Sequence, residues 1–83
     1  IKEGIPMKTV KISLNSIDKV KSFVNDITKF DYDFDLVSGR YVIDAKSIMG
    51  IFSLDLSKPI DLNIRADDNV EEIMEMLKPY LCD

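Results

Sequence analysis

Residues 44–54 read Asp44-Ala45-Lys46-Ser47-Ile48-Met49-Gly50-Ile51-Phe52-Ser53-Leu54 and are the most informative part of the chain. From Ser47 onward the segment is mostly apolar and would suit a strand by composition alone. Two residues favour a short helix instead. A serine at the start can accept a hydrogen bond from the free N–H groups of the first helical turn, and Gly50 would weaken a strand.

Four segments around this one show the pattern of strands. Apolar and polar residues alternate from Thr9 to Leu14 and from Ile60 to Arg65, which is typical of a strand with one buried face. Two further strands, Asp33 to Val37 and Arg40 to Ala45, are joined through Ser38-Gly39. The glycine supplies the positive φ that a tight hairpin needs.

Two longer segments show the apolar spacing of helices. The first is capped by Asn15 or Ser16, and its apolar stripe consists of Ile17, Val20, Phe23, Val24 and Ile27. The last begins at Asp68, with Glu71 three residues on as in a capping box, and Pro79 ends it near Leu77. The order β-α-β-β-α-β-α predicts an α/β (α+β) fold, an open-faced β-sandwich with a four-stranded antiparallel sheet and helices on one face.

Length and composition exclude several classes of protein. The 83 residues suffice for a single domain, which we place at residues 7–83 because Met7-Lys8 resembles a natural start. Residues 1–6 are expected to be a vector remnant or a disordered N-terminal extension. A net charge of −4, from 15 acidic and 11 basic residues, argues against nucleic-acid binding.

No apolar run reaches the roughly 20 residues that a membrane-spanning helix needs. The single Cys82 cannot form an internal disulfide, which suits the cytoplasm. Asp31, Asp33 and Asp35 alternate with aromatic residues but lack the glycine and terminal glutamate of a calcium loop. We therefore expect neither a metal nor a cofactor, and no contact with membranes.

The segment Lys46-Ser47-Ile48-Met49-Gly50 resembles the corresponding part of HPr, the histidine-phosphorylated carrier of the bacterial sugar phosphotransferase system. Element order, length and element sizes are also similar, from about Met7 to Leu81. In that family the phosphorylated histidine follows the first strand in a Gly-Ile-His-Ala-Arg-Pro-Ala pattern. Here the equivalent residues are Leu14 to Val20, and the chain contains no histidine. The resemblance implies a divergent HPr without the active-site histidine, in which the degenerate phosphate-site region is Asn15, Ser16, Ile17, Asp18 and Lys19.

The resemblance also implies two roles for the segment after Lys46. In many Gram-positive relatives the serine that matches Ser47 is phosphorylated by a dedicated kinase, so Ser47 is a candidate regulatory phosphoacceptor; the alternative is a plain N-cap. The family residues that match Ile48, Met49, Ile51 and Phe52 meet partner proteins, so these four form a candidate docking surface. The alternative for them is a second layer of core.

These expectations combine into one functional hypothesis. The chain is a non-catalytic regulatory or protein-docking module, not an enzyme, and its partners are proteins of the phosphotransferase system or other regulatory proteins. One alternative is a phosphocarrier that uses Asp18 or Ser16 as acceptor. Another is a structural subunit of a larger assembly.

Overall fold

The computed structural model describes residues 7–82, so the predictions for residues 1–6 and for Asp83 lie outside the described part of the chain. The elements in chain order are β1 (Met7–Ile12), α1 (Ile17–Ile27), β2 (Asp33–Ser38), β3 (Tyr41–Asp44), α2 (Ile48–Phe52), β4 (Ile60–Arg65), α3 (Val70–Leu77) and a 3₁₀ turn (Lys78–Tyr80).

The four strands form one antiparallel sheet in the order β1-β4-β2-β3. The central strand β4 buries every second residue, Ile60, Leu62 and Ile64, on the face that the helices cover. Their neighbours on the other face are polar. Lys11 pairs there with Asp61 at 3.0 Å. The predicted open-faced α+β fold is confirmed, because the period-two pattern of the strands separates an apolar face from a solvated one.

Helix α1 closes the core from above the sheet. Of the two predicted caps, Asn15 and Ser16, the structure has Ser16 as the N-cap, and its Oγ accepts a hydrogen bond from the Lys19 N–H at 3.1 Å. Val20, Phe23 and Ile27 are fully buried. Ile17 was expected on the same stripe but is 61% exposed. It lies in the first turn, where the spacing sets a direction on the helix but not how far the sheet extends beneath it.

The start of α3 differs from the predicted capping box. The N-cap is Asn69, which adopts a left-handed conformation with φ 57° and makes no capping side-chain hydrogen bond. The Asp68 carboxylate accepts instead from the N–H of Asn69 at 2.8 Å, so it is not the cap of the first turn. Helix α3 ends at Leu77, as Pro79 predicted.

The segment after α3 packs against α1 and forms hydrogen bonds to β1 and the residue after it. Tyr80 is buried, its ring meets Phe23 edge-on at 5.5 Å, and its hydroxyl donates to Asp26 at 3.0 Å. The N–H of Ser13 donates to the carbonyl of Tyr80 at 2.8 Å. Among residues 7–82, none of the helices has the length and apolar character that crossing a bilayer requires.

Candidate functional site

Ser47 is the N-cap of helix α2, as the sequence predicts. Ser47 has extended backbone angles, and its Oγ accepts a hydrogen bond from the Gly50 N–H at 3.2 Å. Its own N–H donates to the Asp44 carbonyl at 3.0 Å, which fixes the entry into the helix. The side chain is exposed to solvent. Ser47 is therefore an N-cap with an accessible hydroxyl, and its role as a phosphoacceptor stays a prediction.

Gly50 allows α2 to pack closely on the sheet. A Cβ at this position would lie 3.2 Å from Cδ1 of Ile43 in β3 and 3.2 Å from the Ser47 Oγ. Both distances are tighter than ordinary van der Waals contact. The glycine thus contributes to the position of the Ser47 cap as well as to helix packing.

Lys46 has a structural role that sequence reasoning missed. Its Nζ donates to the Phe30 carbonyl at 2.9 Å and lies 5.6 Å from the centre of the Phe34 ring. The side chain therefore joins the start of α2 to the loop after α1 and to strand β2. No local signal could have indicated this, because Phe30 lies sixteen residues away in the chain.

The four residues of the predicted docking surface fall into two groups. Met49 is 78% exposed and Phe52 is 41% exposed. Ile48 is half-buried, and Ile51 is fully buried in the core. Ile51 is thus a core residue and not a docking residue. It shares a face of α2 with Ile48, three residues away, and not with Met49, two residues away. Ile48 also packs against this core, so the alternative of a second core layer applies to Ile51 and, in part, to Ile48.

A cleft of about 450 Å³ connects the two regions that the sequence singles out. Its lining comprises Asn15, Ser16 and Ile17 from the start of α1, and Phe52, Leu56 and Ser57 from the end of α2 and the loop after it. The sequence did not indicate Leu56 or Ser57. Asp18 and Lys19 are outside the lining, although they belong to the same degenerate phosphate-site region.

The start of α1 offers limited chemistry. The Ser16 hydroxyl already accepts the capping hydrogen bond from Lys19. Asp18 is exposed in the first turn. None of the ion pairs among residues 7–82 joins Asp18 to Lys19. Within that same range, no group of three or more acidic or cysteine side chains could hold a metal ion.

A second, larger groove of about 850 Å³ lies beside the β2–β3 hairpin, between Lys11, Arg40, Tyr41, Lys58 and Asp55. Hydrogen bonds from Ser57 hold the pKa of the Asp55 carboxyl below its usual value. We place the candidate site at the smaller cleft because it brings together the two regions indicated by the sequence, whereas the lining of the larger groove includes Ser53 and Leu54 but no residue from the start of α1.

An open-faced sandwich with β1-β4-β2-β3 strand order, and with the start of α1 next to α2, defines a small α+β protein of the HPr type. Comparisons with known proteins agree. The HPr-C-His protein of Thermoanaerobacter tengcongensis superposes with a TM-score of 0.70 at 28% identity, over 84% of this chain and 85% of that one. The phosphocarrier protein HPr of Bacillus anthracis str. Ames gives a TM-score of 0.68 at 27% identity, over 93% of this chain and 96% of that one.

The family described as "PTS HPr component phosphorylation site" matches residues 19–81, which is more than half of the chain. The chain therefore belongs to the PTS-HPr family. A search of curated proteins found no match. The family match begins at Lys19, so Asn15, Ser16, Ile17 and Asp18 are outside it.

Proposed function

We propose that this chain is a docking or regulatory module of the phosphotransferase system that carries no phosphoryl group on histidine. Two observations support the loss of that chemistry. The 83 residues contain no histidine. The family match also starts at Lys19, so four residues of the degenerate phosphate-site region, Asn15, Ser16, Ile17 and Asp18, are outside it.

The proposal rests mainly on the cleft between α1 and α2. Ile17, Phe52 and Leu56 form its apolar part, and Met49 lies on α2 three residues before Phe52, on the same helical face. We define the docking surface as Ile17, Met49, Phe52 and Leu56. Exposed methionine and aromatic side chains side by side are typical of surfaces that adapt to a protein partner.

Ser47 is the proposed control point of this surface. It precedes Met49 by two residues and caps the helix that carries both Met49 and Phe52. A phosphoryl group would add a charge of about −1.5 to −2 next to apolar side chains that a partner must desolvate. Phosphorylation at Ser47 is therefore expected to change which proteins bind. The partners we propose are proteins of the phosphotransferase system or its regulators, and the single cysteine suits a cytoplasmic location.

The docking surface is tested by capture from an extract of the native host. Met49→Ser and Phe52→Ser should each reduce capture of a specific partner by at least about tenfold, the effect of losing one contact worth 1.4 kcal/mol. Met7→Ser is the matched control. It also removes an exposed methionine, but from β1 and outside the cleft. Equal capture by all three variants would contradict the proposed surface, and unchanged capture by Ser47→Asp would contradict the switch.

The loss of carrier activity needs a separate test. Incubation with phosphoenolpyruvate and Enzyme I should leave the protein unlabelled. An acid-stable label lost in Ser16→Ala, or a hydroxylamine-sensitive label lost in Asp18→Asn, would replace the proposal by a phosphocarrier with a different acceptor. Size-exclusion chromatography with light scattering on the captured material separates a transient complex from the third alternative, a structural subunit of a fixed assembly.

A further inference from the structure

The two edges of the sheet are protected differently. Along β1, the C-terminal segment forms a bridge between Leu81 and Ile12, and the Cys82 N–H donates to the Lys11 carbonyl at 2.9 Å. The outer edge of β3 has no strand beside it within residues 7–82. Edge strands are commonly blunted by lysine, proline or a covering segment. Strand β3, Tyr41–Asp44, contains neither lysine nor proline.

The pairing of β3 with β2 defines which backbone groups are free. Ala45 donates to the Phe34 carbonyl at 2.9 Å, and the register continues through Ile43 opposite Leu36. Hydrogen-bonded pairs alternate along an antiparallel ladder, so Tyr41 and Ile43 direct their backbone groups to β2. Val42 and Asp44 therefore direct their N–H groups to the open edge. Val42 is also 63% exposed.

The open edge also carries a carboxylate, Asp44, that has no ion-pair partner among the described residues. On the solvated face of the sheet Asp44 lies directly opposite Asp35. Asp35 is neutralised by Arg65 at 3.2 Å. No ion pair among the described residues involves Asp44 or Arg40. The Asp44 carboxylate accepts a hydrogen bond from the Lys46 N–H at 2.9 Å, and a cation next to it would supply the ion pair that it lacks among the described residues.

We propose that β3 is an association surface for a second copy of this chain, with the two β3 strands antiparallel about a twofold axis through Val42. In this register Val42 faces Val42 of the second copy, and their outward N–H and carbonyl groups exchange two hydrogen bonds. Arg40, which lies in the hairpin turn directly before β3, is then next to Asp44 of the second copy, twice by symmetry, and Tyr41 faces Ile43. The interface is isologous and opposite charges meet on both sides of the axis.

The neighbouring register, centred on Ile43, is less favourable. It places apolar Val42 opposite charged Asp44 of the second copy and moves Arg40 away from that aspartate. Charge complementarity thus selects the Val42 register. The strands are only four residues long. The interface is therefore smaller than that of a stable dimer, and we expect a weak one with a Kd on the order of 0.1 to 1 mM. This association is independent of the docking surface on α1 and α2.

Sedimentation equilibrium over protein concentrations from about 0.05 to about 2 mM brackets this Kd. Val42→Lys places two ammonium groups on the axis, and Val42→Pro removes the outward N–H while keeping the ladder to β2. Each should weaken association by at least about tenfold. Val42→Thr is the matched control, because it keeps the branched shape and the N–H. Circular dichroism checks that all three variants are folded.

Charge reversal tests the register. Arg40→Asp and Asp44→Arg should each weaken self-association, because like charges then face each other. An equal mixture of the two variants should associate again, because each interface then pairs two aspartates with two arginines. A wild-type protein that stays monomeric over the whole range would overturn the proposal. So would a dimer that Val42→Lys and Val42→Pro leave unchanged, or two folded charge variants whose mixture does not associate.

Discussion

Replacing Ser47 by alanine tests the helix start that the candidate site depends on. The substitution removes the acceptor for the Gly50 N–H, which lies 3.2 Å from Oγ. Loss of such a cap costs about 1 kcal/mol of the free energy of unfolding. With a urea dependence of about 1 kcal/mol per molar for a chain of this size, the unfolding midpoint should fall by about 1 M. Urea unfolding followed by circular dichroism measures this shift.

Two further substitutions make the prediction specific. Ser47→Asp keeps an acceptor oxygen near the Gly50 N–H and adds a negative charge at the helix start, so its midpoint should lie within about 0.5 M of the wild type. Ser38→Ala changes a serine at the end of β2, away from both helix starts, and should change stability by no more than about 0.5 kcal/mol. An unchanged midpoint in Ser47→Ala, or a Ser47→Asp variant as unstable as Ser47→Ala, would contradict the capping role of Ser47.

Three other perturbations address the supporting structure. Burial, together with a hydrogen bond to a carboxylate, raises the pKa of Tyr80 above 10.0. The stabilisation that the Tyr80 hydroxyl contributes is present in full below the ordinary tyrosine pKa and is lost as the pH rises through the folded-state pKa. Urea unfolding at a series of alkaline pH values should show this loss of stability in the wild type and not in Tyr80→Phe. Gly39→Ala places a Cβ at φ +61° in open space, so its cost of about 1–2 kcal/mol is backbone strain alone and lowers the melting temperature. Lys46→Met removes the hydrogen bond to Phe30 and should lower the free energy of unfolding by about 2 kcal/mol. Lys11→Met breaks an exposed ion pair worth less than about 1 kcal/mol and is the control. A similar loss of stability in both variants would contradict the anchoring role of Lys46.

Most of the fold could be predicted because its signals are local. Alternation in β4 indicated its bounds, Gly39 indicated the hairpin, and Pro79 indicated the end of α3. The start of α3 could not be predicted from the same kind of signal. Asp68 fits the capping-box pattern, but Asn69 takes the left-handed conformation and its side chain donates to the Tyr32 hydroxyl at 3.1 Å. A contact between distant residues therefore overrides the local motif.

The candidate site was predictable to a smaller extent. Their position before apolar segments indicates Ser47 as one N-cap and Asn15 or Ser16 as the other, and in the structure Ser16 and Ser47 are the caps. Which apolar residues of α2 face outward did not follow. A helix of five residues is too short for its spacing to show which side meets the sheet, so the sequence places Ile51 in one predicted surface with Ile48, Met49 and Phe52.

Local sequence and tertiary packing thus determine different features of this protein. The linear order of residues is enough to establish the element order, the serine caps and the absence of histidine, since each is a property of neighbouring residues or of composition. The cleft between Ile17 and Phe52, the burial of Ile51 and the anchoring of Lys46 to Phe30 arise only when the chain packs. The physical reason is that β4 pairs with both β1 and β2. This pairing brings the residues after β1 close to those after α2, and local periodicity contains no information about that distance.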